Sequence, residues 1–309
     1  MQKQELKQEI KQELTHYFTQ LQVPHPDSHK GQNGKLLLIG GSELFHAASK
    51  WSLDVASKLV DMVFYTSVES NNKLIQQAKG EFWNGIVILR ENLDAYVQEA
   101  DCILIGPGME RNEETRELVN RLLQQYPDKK FVIDAGALQM VDPNFLNKNH
   151  VITPHLKEMA GLQEKLQETG LSLEQTQVTV VLKGKTDKIS WFESAQQLQN
   201  QTANETENKS SQLEKKQPGQ LEHLEKRVQE IIGGNAGMTK GGTGDVLAGL
   251  IAGLYCTNKP HIAAVVGSYV NKAAGDELYQ SVGPFFNASD LVTQVPKTLW
   301  QCINSVETV

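Results

Sequence analysis

The chain has 309 residues, 39% of them hydrophobic, with 24 glycines and a formal net charge of −7, enough for one large α/β domain or two small ones. That acidic balance leaves no basic excess to neutralise phosphates and argues against a general nucleic-acid binder. No apolar run reaches membrane-spanning length and the N-terminus is polar rather than signal-like, while Cys102, Cys256 and Cys302 are far apart and odd in number, so the expected setting is a reducing cytoplasm.

Leu6, Ile10, Leu14, Phe18 and Leu21 recur at helical spacing and predict an amphipathic N-terminal helix over residues 1–22, able to pack on the domain or on another subunit. Pro24 and Pro26 end it. The rest of the chain, 23–309, is expected to form a single domain. Strand-like runs follow at 35–42, 60–67, 85–90, 101–105, 130–134 and 150–153, mostly short and apolar, with helical segments between them. Such alternation predicts an α/β fold with a central, mostly parallel sheet and helices on both faces. Several runs end in turn residues: Gly40-Gly41-Ser42, Gly106-Pro107-Gly108, Asp134-Ala135-Gly136 and Thr153-Pro154-His155. Ligands bind at the carboxyl ends of strands in open α/β sheets, so these turns are expected to line one crevice.

Residues 178–189 read as a strand, a polar turn and a second strand. The segment 194–220 is dominated by Gln, Asn, Glu, Lys and Ser, too polar to offset its ordering entropy, and is predicted to be a flexible insertion. Order resumes in a strand at 228–232, with helices predicted from Pro260 to Gln280 and from about Ala288.

One stretch, Gly233 to Leu254, dominates the chemistry. Its glycine-dense first half leads into a small, apolar second half that reads as a buried helix. A glycine turn entering a helix leaves backbone N–H groups pointing out of the helix start, where an anionic phosphate is stabilised. Thr243 offers a hydroxyl donor, and Asp245 falls in the first turn, where a carboxylate beside a phosphate is useful for removing a proton or holding a metal. Neither a P-loop nor a dinucleotide Gly-x-Gly-x-x-Gly fingerprint is present. The other motifs are open to two readings. Gly106-Pro107-Gly108 lets a ligand approach the backbone or is a plain turn; His155, three residues before Glu158, binds substrate or caps a helix. Lys183-Gly184-Lys185-Thr186-Asp187 binds nucleotide phosphates or is a solvated β-turn.

Taken in order, the Gly-Gly-Ser turn, Gly-Pro-Gly, Asp134, Thr-Pro-His, Leu-Lys-Gly and the Gly-Asn-x-Gly-Met-x-x-Gly-Gly-Thr-Gly-Asp-Val-Leu stretch resemble the ADP-dependent NAD(P)H-hydrate dehydratases, which are ribokinase-like repair enzymes. The resemblance covers roughly residues 27–300 apart from the polar insertion. It implies a reaction in which ADP (or ATP) drives dehydration of hydrated NADH or NADPH, with Mg²⁺ on the phosphates. By that match Asp245 is the catalytic base and a substrate contact, and Ala48, Gly108 and His155 bind the substrate. Lys183, Gly184, Lys185, Thr186, Asp187, Asn235, Gly242, Thr243 and Gly244 hold the adenine nucleotide and its transferring phosphoryl. The resemblance also implies a homo-oligomer, a tetramer being the state to test. It implies a separate epimerase acting on the same substrate, since the N-terminal extension is too short to contain one. The chain departs from the family pattern at Phe45-His46-Ala47-Ala48, where one glycine is lost. Asp134-Ala135-Gly136-Ala137-Leu138 lacks a second carboxylate, and Lys157 replaces a glycine. The rival readings are a small-molecule kinase of the same fold, acting on a sugar or vitamin alcohol, and a catalytically silent nucleotide-binding protein.

Overall fold

A computed structural model of the chain describes residues 14–77, 84–194 and 224–307. The expected strands are β1 (Lys35–Ile39), β2 (Met62–Thr66), β3 (Ile86–Val87), β4 (Cys102–Ile105), β5 (Lys130–Ile133), β6 (His150–Ile152), β7 (Thr179–Leu182), β8 (Thr186–Ser194) and β9 (Leu224–Ile232). They form one sheet in the order β3-β2-β1-β4-β5-β6-β7-β8-β9. The seven strands from β3 to β7 are parallel, and β8 and β9 continue the sheet antiparallel. The predicted insertion lies outside the described residues from 195 to 220; its first position, Ser194, closes β8.

Side chains on a strand alternate between faces, and both faces here are buried. Leu36, Leu38, Leu104, Val132, Val151 and Val181 belong to one core; Leu37, Ile39, Ile103, Ile105, Phe131, Ile133 and Ile152 belong to the other. The second core is covered by α4 (Leu93–Glu99), α5 (Glu113–Gln125), α6 (Ala135–Met140) and α7 (Leu156–Thr169). The first is covered by α2 (His46–Ala56), α9 (Thr243–Tyr255), α10 (Pro260–Val282) and α11 (Ala288–Glu307). Two short helices, α3 (Glu69–Gln77) and α8 (Leu173–Thr176), complete the crossovers. The N-terminal helix, α1, is described over 14–19, while residues 1–13 of the predicted element lie outside the described residues. Leu14, Phe18 and Leu21 are buried in the first core, Phe18 meets Tyr269 edge-on and Tyr17 meets Trp191. The described part of this helix therefore packs on its own domain.

Helix α9 is the central element of the first layer. From Val246 to Tyr255 every residue is buried, which an amphipathic surface helix cannot be. Its small residues allow close approach to α2: a methyl on Gly249 would stand 2.5 Å from the Ser52 carbonyl oxygen and 2.7 Å from its Cα. Both are backbone atoms that cannot rotate away. Gly249→Ala is therefore expected to force the two helices apart and to cost about 1–3 kcal/mol of stability, read as a lower urea midpoint at unchanged slope.

Candidate active site

The chain leaves β1 toward β2 and β3 on one side and resumes at β4 on the other, so a topological switch point lies between the carboxyl ends of β1 and β4. Gly41 and Gly108 occupy it. The Gly41 N–H donates to the Pro107 carbonyl at 2.7 Å, locking the two turns together. Gly108 has φ +71°, and a side chain there would collide with the Phe45 carbonyl and crowd the Ala48 methyl. Ala48 and Gly108, both expected substrate positions, are thus neighbours. Gly136, where the second carboxylate is missing, backs onto the Met109 carbonyl with no room for a side chain.

From Ala48 the contacts lead to the glycine stretch. One turn along α2, the Ser52 hydroxyl is 3.3 Å from the Ala48 carbonyl and 2.8 Å from the Asp245 carbonyl, tying the start of α9 to α2. Gly242 precedes α9 with φ +95°, and any side chain would strike the Trp51 ring. The first α-helical hydrogen bond runs from Val246 N–H to Gly242 O, which leaves the Thr243 and Gly244 N–H groups without a carbonyl inside the helix. The Thr243 hydroxyl, expected as an anion donor, is directed elsewhere: it lies 2.8 Å from the Met238 carbonyl and 3.0 Å from that of Lys240. The carbonyls of the glycine loop face it and need a donor, so its contribution at the helix start is the backbone N–H.

Across the crevice stand the ends of β5, β6 and β7. Asp134 is 2% exposed, and one carboxylate oxygen accepts from the Thr153 hydroxyl at 2.7 Å and from Lys183 Nζ at 2.8 Å. Lys183 Nζ in turn faces Gly244, 3.6 Å from where a methyl there would sit. Burial disfavours the Lys183 charge, but the carboxylates of Asp134, Glu158 and Asp245 outweigh it and hold the ammonium above the ordinary lysine range. For Asp245 the balance runs the other way. Burial first, then the negative charges of Asp134 and Glu158, push it up to about 7 against the opposing pull of Lys183. A carboxyl that titrates near neutrality beside a helix start is suited to proton removal.

His155 is a cap: its Nδ1 accepts from the Lys157 and Glu158 N–H groups, and Glu158 Oε2 accepts from the His155 N–H, a full capping box. Accepting at Nδ1 leaves Nε2 as the protonated nitrogen of the neutral ring, 3.7 Å from Glu158 Oε1. The ring is about half exposed, so capping does not hide it from the crevice.

The 183–187 turn is brought together with Gly233 to Asn235 by α10. Asp187, expected to meet nucleotide, is 4% exposed and spends its carboxylate on the Gly184 N–H, the Ser268 hydroxyl and Lys272 Nζ. Lys272 also donates to the Gly184 and Lys185 carbonyls. The Asn235 side chain accepts from the Gly237 N–H and donates to Gly275 O and Asp276. Asp187 and Asn235 thus shape the turns, whereas Lys185 is exposed and Thr186 opens β8. Lys272 and Trp51 were not singled out from sequence, and Glu158 only as the helix-start partner of His155. A lysine at a helix position otherwise buried was the available signal for the first.

A family model described as NAD(P)H-hydrate dehydratase matches residues 36–212 and 193–297. The chain belongs to the NAD(P)H-hydrate dehydratase family. It is 34% identical over 283 residues to a bifunctional NAD(P)H-hydrate repair enzyme of Methanocaldococcus jannaschii, an alignment covering 88% of this chain and 49% of that protein. It is 30% identical to an ADP-dependent (S)-NAD(P)H-hydrate dehydratase of Nitrosopumilus maritimus, covering 87% and 89% of the two chains. The chain spans about half the length of the bifunctional relatives it matches. A ribokinase-like superfamily protein of Enterococcus faecalis shares the fold with a TM-score of 0.70 at 23% identity, covering 93% of this chain and 94% of that one. Among the described residues no helix is long and apolar enough to cross a membrane.

The raised Asp245 pKa has a consequence for this dehydratase-family fold. Its unfolded value, about 3.9, lies below the folded one, so the native state is disfavoured increasingly from about pH 4 to pH 7. Asp245→Asn removes that penalty. The variant is expected to melt higher than wild type at pH 8, with the difference vanishing as the pH falls to 4, as checked by thermal melts across that range.

Proposed function

We propose that the chain catalyses the ADP-driven dehydration of hydrated NADH or NADPH, giving NAD(P)H, AMP and phosphate. Family membership supports the substrate class, and one observation carries the chemistry. Asp245, with a pKa of about 7, stands one residue past the free N–H groups of Thr243 and Gly244 and across from Lys183. Hydroxide is a poor leaving group and phosphate a good one, so the hydrate's hydroxyl is first phosphorylated. Asp245 takes the hydroxyl proton as its oxygen attacks the terminal phosphorus of ADP, whose bond to AMP breaks. The helix-start N–H groups and Lys183 stabilise charge on the transferring phosphoryl. The ring nitrogen's lone pair then expels phosphate, the neighbouring carbon loses a proton, and the ring double bond is restored.

Each remaining group has a place in this scheme. The small residues Ala48 and Gly108 leave the switch point open to the flat nicotinamide ring, and His155 presents its Nε2–H at the rim. The 183–187 turn with Gly233 to Asn235 frames the nucleotide. A Mg²⁺ ion would be held largely by the phosphates themselves, since Asp134 and Glu158 are committed to Lys183, Thr153, His155 and Gln139. It would supply charge neutralisation of the polyphosphate.

Supplying purified protein with hydrated NADPH, Mg²⁺ and ADP should restore the reduced-nicotinamide absorbance with stoichiometric AMP. A stable phosphorylated alcohol without NADPH would assign the chain to kinase chemistry instead. Asp245→Asn should lower kcat by roughly a hundred- to ten-thousandfold. The groups facing Asp245 are Asp134, Glu158 and Lys183. Activity should rise with pH through about 7 as Asp245 ionises. In Lys183→Met, which removes the only cation of that set, the rise should move to higher pH. An unshifted profile would show that Lys183 does not act on the base.

A further inference from the structure

Arg90 is the cation that the site described so far leaves unused. It follows β3 at the carboxyl edge of the sheet, on the same side as Gly41, Gly108 and His155. Other buried or half-buried cations among the described residues have several partners or a carboxylate: Lys129 and Lys165 each reach two carbonyls, Lys130 reaches three, and Lys183 and Lys272 meet Asp134 and Asp187. Arg90 has five N–H donors and makes one long bond, from Nε to the Ser67 carbonyl at 3.4 Å. Among the described residues no carboxylate lies within ion-pair distance of it. Burial pulls its pKa down, with Glu114 and Tyr65 opposing from farther away, and a guanidinium stays charged regardless. Part of its surface remains open to solvent. A desolvated fork with most of its donors unpaired among the described residues costs free energy in the unliganded fold, which an arriving anion would recover.

The floor between Arg90 and the switch point is polar and fixed. Asn71 Nδ2 donates to the Ser42 carbonyl and the Ser67 hydroxyl, and Asn72 Oδ1 accepts from the Ser67 N–H. A methyl on Gly41 would fall 2.6 Å from Asn71 Nδ2 and 2.7 Å from Ser67 Oγ. These residues run in strand order from β4 through β1 and β2 to β3, three strand spacings or about 14 Å. That is a length over which a dinucleotide can extend from a nicotinamide ring held near Gly108.

We propose that Arg90 is an anion-binding subsite for the phosphate groups of the dinucleotide substrate, placing its distal half over the β1–β2–β3 end of the crevice. This rests on the dinucleotide reading given above. The phosphate could be the pyrophosphate common to both hydrates or the 2′-phosphate of NADPH hydrate alone, and the two are separable.

The test is steady-state kinetics of wild type, Arg90→Met and Arg90→Lys with NADH hydrate and NADPH hydrate in turn. Arg90→Met is expected to raise KM by roughly ten- to a hundredfold, with the loss falling on KM rather than kcat, and Arg90→Lys to restore part of it. A rise for both substrates identifies the pyrophosphate; a rise for NADPH hydrate alone identifies the 2′-phosphate. Unchanged KM for both, or a parallel loss of kcat, ADP affinity and melting temperature, overturns the subsite. Calorimetric titration with NAD⁺ and NADP⁺ separates this proposal from the reaction assignment. Arg90-dependent binding in a chain that restores no hydrate would retain the subsite and discard the dehydratase reading; binding insensitive to Arg90 would discard the subsite.

Discussion

Helix α9 has no face that can meet water from Val246 to Tyr255, and this constraint fixes most of the molecule. A helix apolar all round must be enclosed, here by the sheet beneath it and by α2, α10 and α11 around it. Its axis therefore cannot drift, and neither can its first turn. The glycines that precede it reach their conformation only because no side chain intrudes between Gly242 and the Trp51 ring. Hydrophobic burial at one end of the helix thus places donors and a carboxyl at the other.

The electrostatics of the crevice come from an imbalance. Asp134, Glu158 and Asp245 surround the single ammonium of Lys183, and the hydrogen bonds are not shared equally. Asp134 holds both Lys183 and Thr153, and Glu158 is bound to the His155 N–H and Gln139. Asp245 receives less help and carries the cost of its neighbours' charge. Environment alone thus separates chemically similar carboxyl groups: two are tied into hydrogen bonds of the fold, and the pKa of the third is raised.

The parallel sheet, the buried helix and the convergence of the strand-end turns were legible because each depends on local pattern: near-continuous apolar strands, a helix without charge beyond its first turn and glycines at strand ends. The roles of individual polar groups were less so. A hydroxyl such as that of Thr243 can face an anion or a carbonyl, and the choice depends on the loop folded beneath it. Asp187 reads as a ligand in the turn but is consumed by Ser268 and Lys272, residues some eighty positions away. His155 could be read as a cap or as a ligand contact, and the fold makes it a cap while leaving its other nitrogen at the surface. Arg90 carried no motif at all, since what distinguishes it is having a single long hydrogen bond and no carboxylate at ion-pair distance among the described residues, which only the assembled neighbourhood reveals.

Asp134, His155, Lys183 and Asp245 come from four separate stretches of chain, and the sheet that aligns them is closed by the antiparallel pairing of β8 with β9 on the approach to α9. Parallel pairing demands long crossovers, and its loop-closure entropy must be met before its contacts reward it. The crevice therefore needs strands and helices far apart in the chain to be in place at once. A nascent or partly unfolded molecule that has β1 to β7 but not α9 would hold Asp134 and Lys183 paired with nothing opposite them. Completion of the fold and assembly of these four side chains thus arrive together.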